Sequence, residues 1–536
     1  MKLFNKKTKK PVLKWNEQKD EDFHFELIEH YFINKNNSST FQTIGDQLKK
    51  DIDFEDLFMF IDRTSSKIGQ QYLYNKLLVI DKYLNFDNQE TLIDYFTHNE
   101  EKRMRAQTLF SKLNKRESFY ISHLFLNDYI PKPKWFWVIP LLSVLTLTAL
   151  VLTFFISKVF IILLFLYFVN MAIHFWNKRN IMSYMDSIPQ LPLLYQIADE
   201  LMKWKVLNKS DQTVIDACDS IKKLSNRAYF FQFETKVRSE IEILFYSVLE
   251  IWKVMFLIEP LIVFDLLKKL DKKRAEIQTL FEYIGKFDSA ISIATLRREL
   301  PFFCKPVISD TVHSLEFTDI YHPLLPDCVS NSLQTNGKSI LLTGSNMSGK
   351  TTFIRTVAIN ILMAQTINTC FAKDFRLAQM RLFSAVRITD DLLNAVSYYF
   401  EEVLTIKDLL NASDSSSNNI FFLDEIFKGT NTIERIAAGK SVLSYLARLD
   451  NNIVFVSTHD IELTDLLSGE YDLYHFTETI QEQQIHFDYK LKPGNLTTTN
   501  AIRILEINDY PEEVISEAKK ISWGLRENSN KTLTNI

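Results

Sequence analysis

Apolar and polar positions alternate in three different ways along the 536 residues. Residues 50–125 and 182–300 carry apolar side chains at helical spacing amid dense charge. Leu266, Leu267, Leu270 and Ile277, for example, lie among Lys268, Lys269, Lys272, Lys273 and Arg274. This pattern predicts long amphipathic helices. Between the two stretches, residues 135–176 contain one formally charged side chain, Lys158, which divides the block into runs 135–157 and 159–176. Each run approaches the ~20 residues a helix needs to cross hydrocarbon, and Trp135, Trp137, Tyr167 and Trp176 stand near the ends, where interfacial aromatics gather. A two-helix hairpin through a lipid bilayer is therefore expected. The alternative, a buried hairpin of a soluble protein, is disfavoured because core helices rarely lack charge on every face. A third apolar run, 251–267, includes Lys253, Glu259, Pro260 and Asp265 and reads as a core helix. Beyond about residue 310, short apolar runs at 339–343, 420–423 and 453–457 alternate with helical segments. They predict an α/β sheet of parallel strands with ligand at the carboxyl ends.

Charge orients the hairpin. Lys132 and Lys134 precede it and Lys178 and Arg179 follow it, so both flanks and both termini are expected in the cytoplasm of a multi-pass membrane protein. The lysines at the N-terminus are followed by no apolar stretch of signal-peptide type, so a cleaved secretory signal is not expected. Aromatics at 13% and apolar residues at 46% exclude wholesale disorder. Eight of the 11 glycines lie at or beyond Gly337, which sets a few-turn helical part apart from a turn-rich part with a boundary near 310. A net charge of −4 does not indicate a globally basic nucleic-acid binder. Cys218, Cys304, Cys328 and Cys370 form no C-x-x-C pair, so neither a zinc ribbon nor a disulfide scaffold is expected. The expected organisation is a basic segment 1–49, a helical part 50–130, the hairpin 135–176, a second helical part 182–305 and an α/β domain 310–536.

The run 339–343 leads into Gly344-Ser345-Asn346-Met347-Ser348-Gly349-Lys350-Thr351, and from Thr352 onward the pattern is helical. This is a complete P-loop. Its glycines let backbone amides turn toward a phosphate, Lys350 offers a cation to the β and γ phosphates, and Thr351 offers a hydroxyl to Mg²⁺. Some 75 residues on, the apolar run 420–423 ends in Asp424-Glu425. Asp424 suits the Mg²⁺ shell, and Glu425 suits polarisation of the water that attacks the γ-phosphate of ATP. The bland alternative is a solvated acidic turn. The run 453–457 ends in Thr458-His459, which puts His459 within reach of a γ-phosphate, although a lone histidine at a strand end is more often structural.

At these elements the chain resembles the MutS family of ATPases. Residues 343–352 are similar to the family's T-G-P-N-M-G-G-K-S-T, residues 424–432 to its D-E-I-G-R-G-T-S-T, and Thr458-His459 to its T-H. Tyr321-His322-Pro323, Asp390-Asp391-Leu392 with Glu402, Tyr489-Lys490-Leu491 with Gly494, and residues 511–515 extend the likeness. Ile61-Asp62-Arg63-Thr64 with Gly69 and Leu73 resembles the start of the family's helical core and levers. The likeness covers residues 50–125 and 185–525 and is strongest in the ATPase. It implies an ABC-type P-loop ATPase that binds ATP and Mg²⁺ through Gly344 to Thr352 and Asp424. It also implies dimerisation, here a homodimer, with Ser397 reaching the partner's nucleotide; spacing alone reads Ser397 equally as a helix N-cap. Ser345, Ser348, Phe427, Lys428 and Asn431 depart from the family motif. The family's mismatch wedge, Phe-x-Glu, occurs only as residues 400–402 and 476–478 in the ATPase half, and the apolar hairpin occupies the place of the family's DNA clamp. The expectation is a membrane-anchored ATPase that switches lever conformation, with DNA binding that is weak and mismatch-blind. The alternative is an ATP-gated membrane-interaction module with no nucleic-acid role. A basic lever surface would favour the first, an acidic one the second.

Overall fold

The computed structural model describes residues 19, 21–207, 212–232, 240–309, 314–335, 337–345, 347–387, 398–413, 417–481, 484–496 and 501–533. The chain divides into two units by contact. The first comprises residues 1–39, 61–78 and 85–299 and is helical where described; the second comprises residues 40–60, 79–84 and 300–536 and carries two larger sheets. Residues 40–60 and 79–84 thus pack with the sheets, although the sequence places 40–49 in the basic segment and helical spacing groups 50–60 and 79–84 with the levers.

In the helical unit, α1 (Lys67–Leu78) lies against the long α6 (Arg274–Glu299), with α2 (Val138–Thr153), α3 (Val159–Met185), α4 (Glu240–Phe256) and α5 (Ile258–Asp271) between them in sequence. The approach of α1 to α6 depends on small residues. A Cβ on Gly69 would lie 2.2 Å from Asp288 Oδ2, and one on Gly285 would lie 2.5 Å from Tyr72 Cβ. Asp288 is fully buried and accepts hydrogen bonds from Ser65 N at 2.8 Å, Ser66 N at 2.8 Å and Ser66 Oγ at 2.6 Å, which satisfies amides at the start of α1. Burial pushes its carboxyl up to about 6 against those bonds. The motif Asp62-Arg63 is structural here: Asp62 meets Lys19 at 2.7 Å and Arg63 meets Glu299 at 2.8 Å, both inside the unit.

The apolar block folds as two packed helices, α2 and α3, joined by a short turn. Val159–Lys178 is the one helix among the described residues that is long and apolar enough to cross a membrane. The first run forms a shorter helix than its apolar length suggests. Residues 135–137 form a turn after Pro131 and Pro133, and α2 is left with 16 residues, about 24 Å against the ~30 Å of a hydrocarbon core. The outward face is largely apolar, with Phe154, Phe155, Ile161 and Phe165 among the most exposed large side chains; Thr148 is exposed on α2, and Ser157 and Lys158 in the turn. The run 251–267 is not one core helix. It is broken at Leu257, whose φ of 48° ends α4 and begins α5.

In the second unit a four-stranded sheet has the order β1 (Val307–Ser309), β5 (Asp374–Ala378), β2 (Leu315–Ile320), β3 (Asn331–Gln334). A six-stranded sheet is built from β4 (Ser339–Thr343), β6 (Arg381–Ala385), β7 (Asn419–Asp424), β8 (Asn452–Ser457), β9 (Tyr471–His475) and β10 (Lys492–Pro493). Its order is β10-β9-β4-β8-β7-β6, parallel except for β10. The expected parallel strands are present within a residue of their apolar runs, because strands buried on both faces read as continuous apolar segments. Helices α7 (Lys350–Ile367), α8 (Tyr398–Ser413) and α9 (Thr432–Ala447) follow β4, β6 and β7. The N-terminal segment clasps the edge strand β6. The Gln42 side-chain amide donates to Leu382 O at 2.7 Å and accepts from Leu382 N at 2.8 Å. Asp51 accepts from Ser384 Oγ at 2.6 Å and from Arg387 N at 2.8 Å.

Candidate functional site

The site forms at the carboxyl ends of β4, β7 and β8, three neighbouring strands. Their register sets Asp424 beside Ser457 and Ser457 beside Leu342, so residues far apart in sequence meet at one edge. The loop from β4 to α7 turns on Gly344 (φ 151°) and Gly349 (φ 104°), and a Cβ on Gly344 would press on Phe476 O at 2.9 Å. Met347 is also left-handed at φ 69° and points outward, 82% exposed. Ser348 is buried in the loop. Asn346 lies outside the described residues.

Lys350, at the first turn of α7, folds back over the loop. Its Nζ donates to Gly344 O at 2.8 Å and Ser345 O at 2.9 Å and stands 3.4 Å from His459 Nε2. Burial lowers its pKa, with the carboxylates of Glu425 and Asp424 opposing. Thr351 Oγ1 donates to Asp424 Oδ2 at 2.7 Å, and Ser457 Oγ donates to Asp424 Oδ1. Glu425 has φ 50°, and its amide donates to Ser457 O at 2.9 Å. Its carboxylate meets His459 Nε2 at 2.7 Å and Lys428 Nζ at 2.9 Å. The His459 hydrogen bond, seconded by Lys428, holds the Glu425 carboxyl down at about 2 against burial. The structure thus brings Lys350, Thr351, Asp424, Glu425 and His459 together. Thr352 follows in α7, half-buried. Ser397 and Asp390-Asp391-Leu392 lie outside the described residues. Thr351 and Asp424 present oxygen donors only, a set that suits a hard divalent cation such as Mg²⁺.

Beside the loop lies a cavity of about 440 Å³, whose far wall holds Leu325, Pro326, Cys328, Val329 and Tyr489. Apart from Tyr489, these residues were not expected from the motifs. The nearby Tyr321-His322-Pro323 was the only signal. Asn331 ties this wall to the chain's later strands by donating to Tyr489 O at 3.0 Å and accepting from Leu491 N at 2.8 Å. Glu478, noted in the sequence only as the end of a Phe-x-Glu triplet, accepts from Ser345 Oγ at 2.7 Å. Beside Ser345, Ser348 and Lys428, Phe427 and Asn431 also depart from the family motif. Phe427 stands where the motif has glycine, and it keeps a left-handed backbone at φ 61°, costing about 1–2 kcal/mol for a residue with a Cβ. Its ring is 5% exposed in a core with Ile406, Leu443 and Leu463, and its amide donates to the buried Glu402. Asn431 caps α9 by accepting from Glu434 N at 3.0 Å.

The family model for MutS domain V, an ATPase domain, matches residues 340–526. The chain is 30% identical over 261 residues to the DNA mismatch repair protein MutS of Persephonella marina, covering 47% of this chain and 30% of that protein. It is 28% identical over 267 residues to the protein of that name from Aquifex pyrophilus, covering 48% of this chain and 30% of the relative. The corresponding protein of Brevibacillus brevis is 29% identical over 269 residues, again over 47% and 30% of the two chains. The chain therefore matches about a third of the length of these relatives.

Proposed function

We propose, on the premise that the chain belongs to the MutS family through its domain V, that it is a membrane-anchored ATPase whose α/β unit faces the cytoplasm. The observation that carries the reading is the convergence of Lys350, Thr351, Asp424, Glu425 and His459 on one strand-end edge beside a cavity. In this reading the amides of residues 344–352 wrap the phosphates of ATP and Lys350 leaves its loop carbonyls to neutralise them. Thr351 and Asp424 hold Mg²⁺, which neutralises phosphate charge when bound. Glu425 orients and polarises the attacking water, His459 fixes Glu425 and reaches the γ-phosphate, and the apolar wall at Leu325 and Tyr489 receives the base. Two chains form a homodimer in which Ser397 of one completes the site of the other, and the closing and opening of that dimer switches the levers.

The anchor rests on the exposed apolar faces of α2 and α3, with Lys132, Lys134, Lys178 and Arg179 on the cytoplasmic side. DNA contact in this reading is weak and mismatch-blind. One observation favours the second reading, an ATP-gated membrane module with no nucleic-acid role. Of the lever run Lys268, Lys269, Lys272, Lys273 and Arg274, the basic cluster that would carry DNA contact, three side chains are paired with carboxylates: Lys269 with Asp265 at 2.6 Å, Lys273 with Glu276 at 2.6 Å and Arg274 with Asp271 at 2.8 Å. Such pairs leave little charge to meet phosphate.

Nucleotide binding and turnover by the full chain test the ATPase reading. Lys350→Ala should weaken ATP binding, whereas Glu425→Gln should retain ATP and hydrolyse it at least about 10²-fold more slowly. Undiminished turnover in Glu425→Gln would reject the assignment.

A further inference from the structure

The break between α4 and α5 is non-helical backbone packed against the apolar hairpin. Leu257 is fully buried there in a cluster with Phe136, Ile139 and Phe264. At the end of α4 the carbonyls of Met255 and Phe256 receive hydrogen bonds from the hairpin itself. Asn170 Nδ2 donates to Met255 O at 2.7 Å, and Ser143 Oγ donates to Phe256 O at 2.7 Å. Within hydrocarbon, interrupted backbone is tolerated only where protein groups satisfy it. That condition is met at this break.

The sequence positions give the depth. Asn170 precedes Trp176 by six residues and Lys178 by eight, so the break lies roughly 9–12 Å inside the cytoplasmic end of α3. Lys178 Nζ meets Glu250 Oε1 at 3.1 Å, which sets Glu250 at the level of that end. Trp252, one turn before Phe256, then stands with Trp135 and Trp176, whose rings are 4.8 Å apart, in one aromatic belt. The outer face of α4 at this level is apolar: Val248, Leu249, Ile251 and Trp252 are 48%, 40%, 50% and 49% exposed. The covered face of the returning helix carries Val263, Phe264, Leu266, Leu267 and Leu270, and its one charged member, Glu259, is buried 3.8 Å from His174. Farther along α5 the exposed positions are charged, Asp265 and Lys268.

We propose that residues 250–257 form a re-entrant membrane segment: α4 enters the cytoplasmic leaflet beside the hairpin, breaks at Leu257, and α5 returns to water, leaving Ile251 and Trp252 against lipid just inside the interface. This rests on the bilayer anchor proposed above. The apolar face of α4 is continuous with that anchor, because α4 packs on both α2 and α3.

Nitroxide accessibility tests it in the full chain reconstituted in phosphatidylcholine–phosphatidylglycerol vesicles. The native cysteines are replaced by serine, single cysteines are placed as Ile251→Cys, Phe168→Cys or Lys203→Cys, and retained ATP binding is required. The ratio of oxygen to nickel-chelate accessibility at position 251 should exceed that at 203 and fall below that at 168, which lies about 15 Å from the cytoplasmic end of α3. A water-like ratio at 251 with a lipid-like ratio at 168 would overturn the re-entrant segment and leave the anchor standing. Shielding of 251 from both reagents would overturn it in favour of a protein neighbour. A water-like ratio at 168 would remove the anchor, and the segment with it. With the native cysteines intact, Trp252→Phe should reduce the fraction of emission quenched by brominated lipid; an unchanged fraction would also overturn the proposal.

Discussion

Replacing His459 by alanine removes the strongest influence on the Glu425 carboxyl, and its effect on the pH dependence of turnover can be worked out in advance. The carboxyl sits at about 2 instead of its ordinary 4.5, chiefly through the 2.7 Å bond to His459, with Lys428 assisting and burial opposing. At about 1.36 kcal/mol per pH unit, this difference amounts to roughly 3 kcal/mol favouring the ionised form. Glu425 is a quarter exposed, so solvent screening reduces the His459 share to about 1–2 kcal/mol, or about one pH unit. Because the folded value is depressed, this stabilisation is complete above pH 4.5 and is lost as pH falls toward 2. In wild-type protein the acid limb of kcat/KM for ATP should therefore lie below the pH range in which the chain stays folded. In His459→Ala it should rise by about one unit, to about 3, so that its onset shows as pH falls below about 4. The shape of the profile is the readout, since the loss of His459 also lowers its height. Superimposable acid limbs in the two proteins would refute the coupling of His459 to Glu425, and a persisting limb in Glu425→Gln would refute Glu425 as its source.

Two further outcomes bear on the helical unit. Gly69→Ala would push a methyl into Asp288, which three hydrogen bonds hold in place, and should cost about 2–4 kcal/mol, seen as a lower unfolding midpoint of the solubilised chain; an unchanged midpoint would mean that α1 and α6 do not approach so closely. Asn170→Leu would leave the Met255 carbonyl without its donor and should cost about 1–2 kcal/mol in the same assay, whereas Phe168→Leu on the exposed face should cost far less.

Much of the site was legible because its residues adjoin short buried strands. The run 339–343 ends at the phosphate loop, and parallel register then brings Asp424 and Thr458-His459 to the same edge. The cavity wall at Leu325 to Asn331 was not legible, since loop residues there are recruited by long-range contacts such as Asn331 with Tyr489. The break at Leu257 was hidden for a related reason. Apolar spacing runs straight through it, and the bonds that satisfy it come from Ser143 and Asn170, a hundred or so residues upstream. Phe427 shows the converse: the motif marks a glycine position, and the positive φ persists although the side chain has become a buried ring.

The clasp of Gln42 and Asp51 on β6 bears on how the protein is cut for study. Strand β6 is the sheet's edge, and an uncovered edge recruits other strands. A recombinant fragment drawn along the matched residues 340–526 would begin almost three hundred residues after the groups that cover this edge, and would also omit β1, β2 and β3. Its insolubility would say nothing about the enzyme. The second unit is discontinuous, joining residues 40–60 and 79–84 to residues 300–536, so an excision that keeps the edge covered grafts those two segments through a short linker instead of trimming to the motif borders.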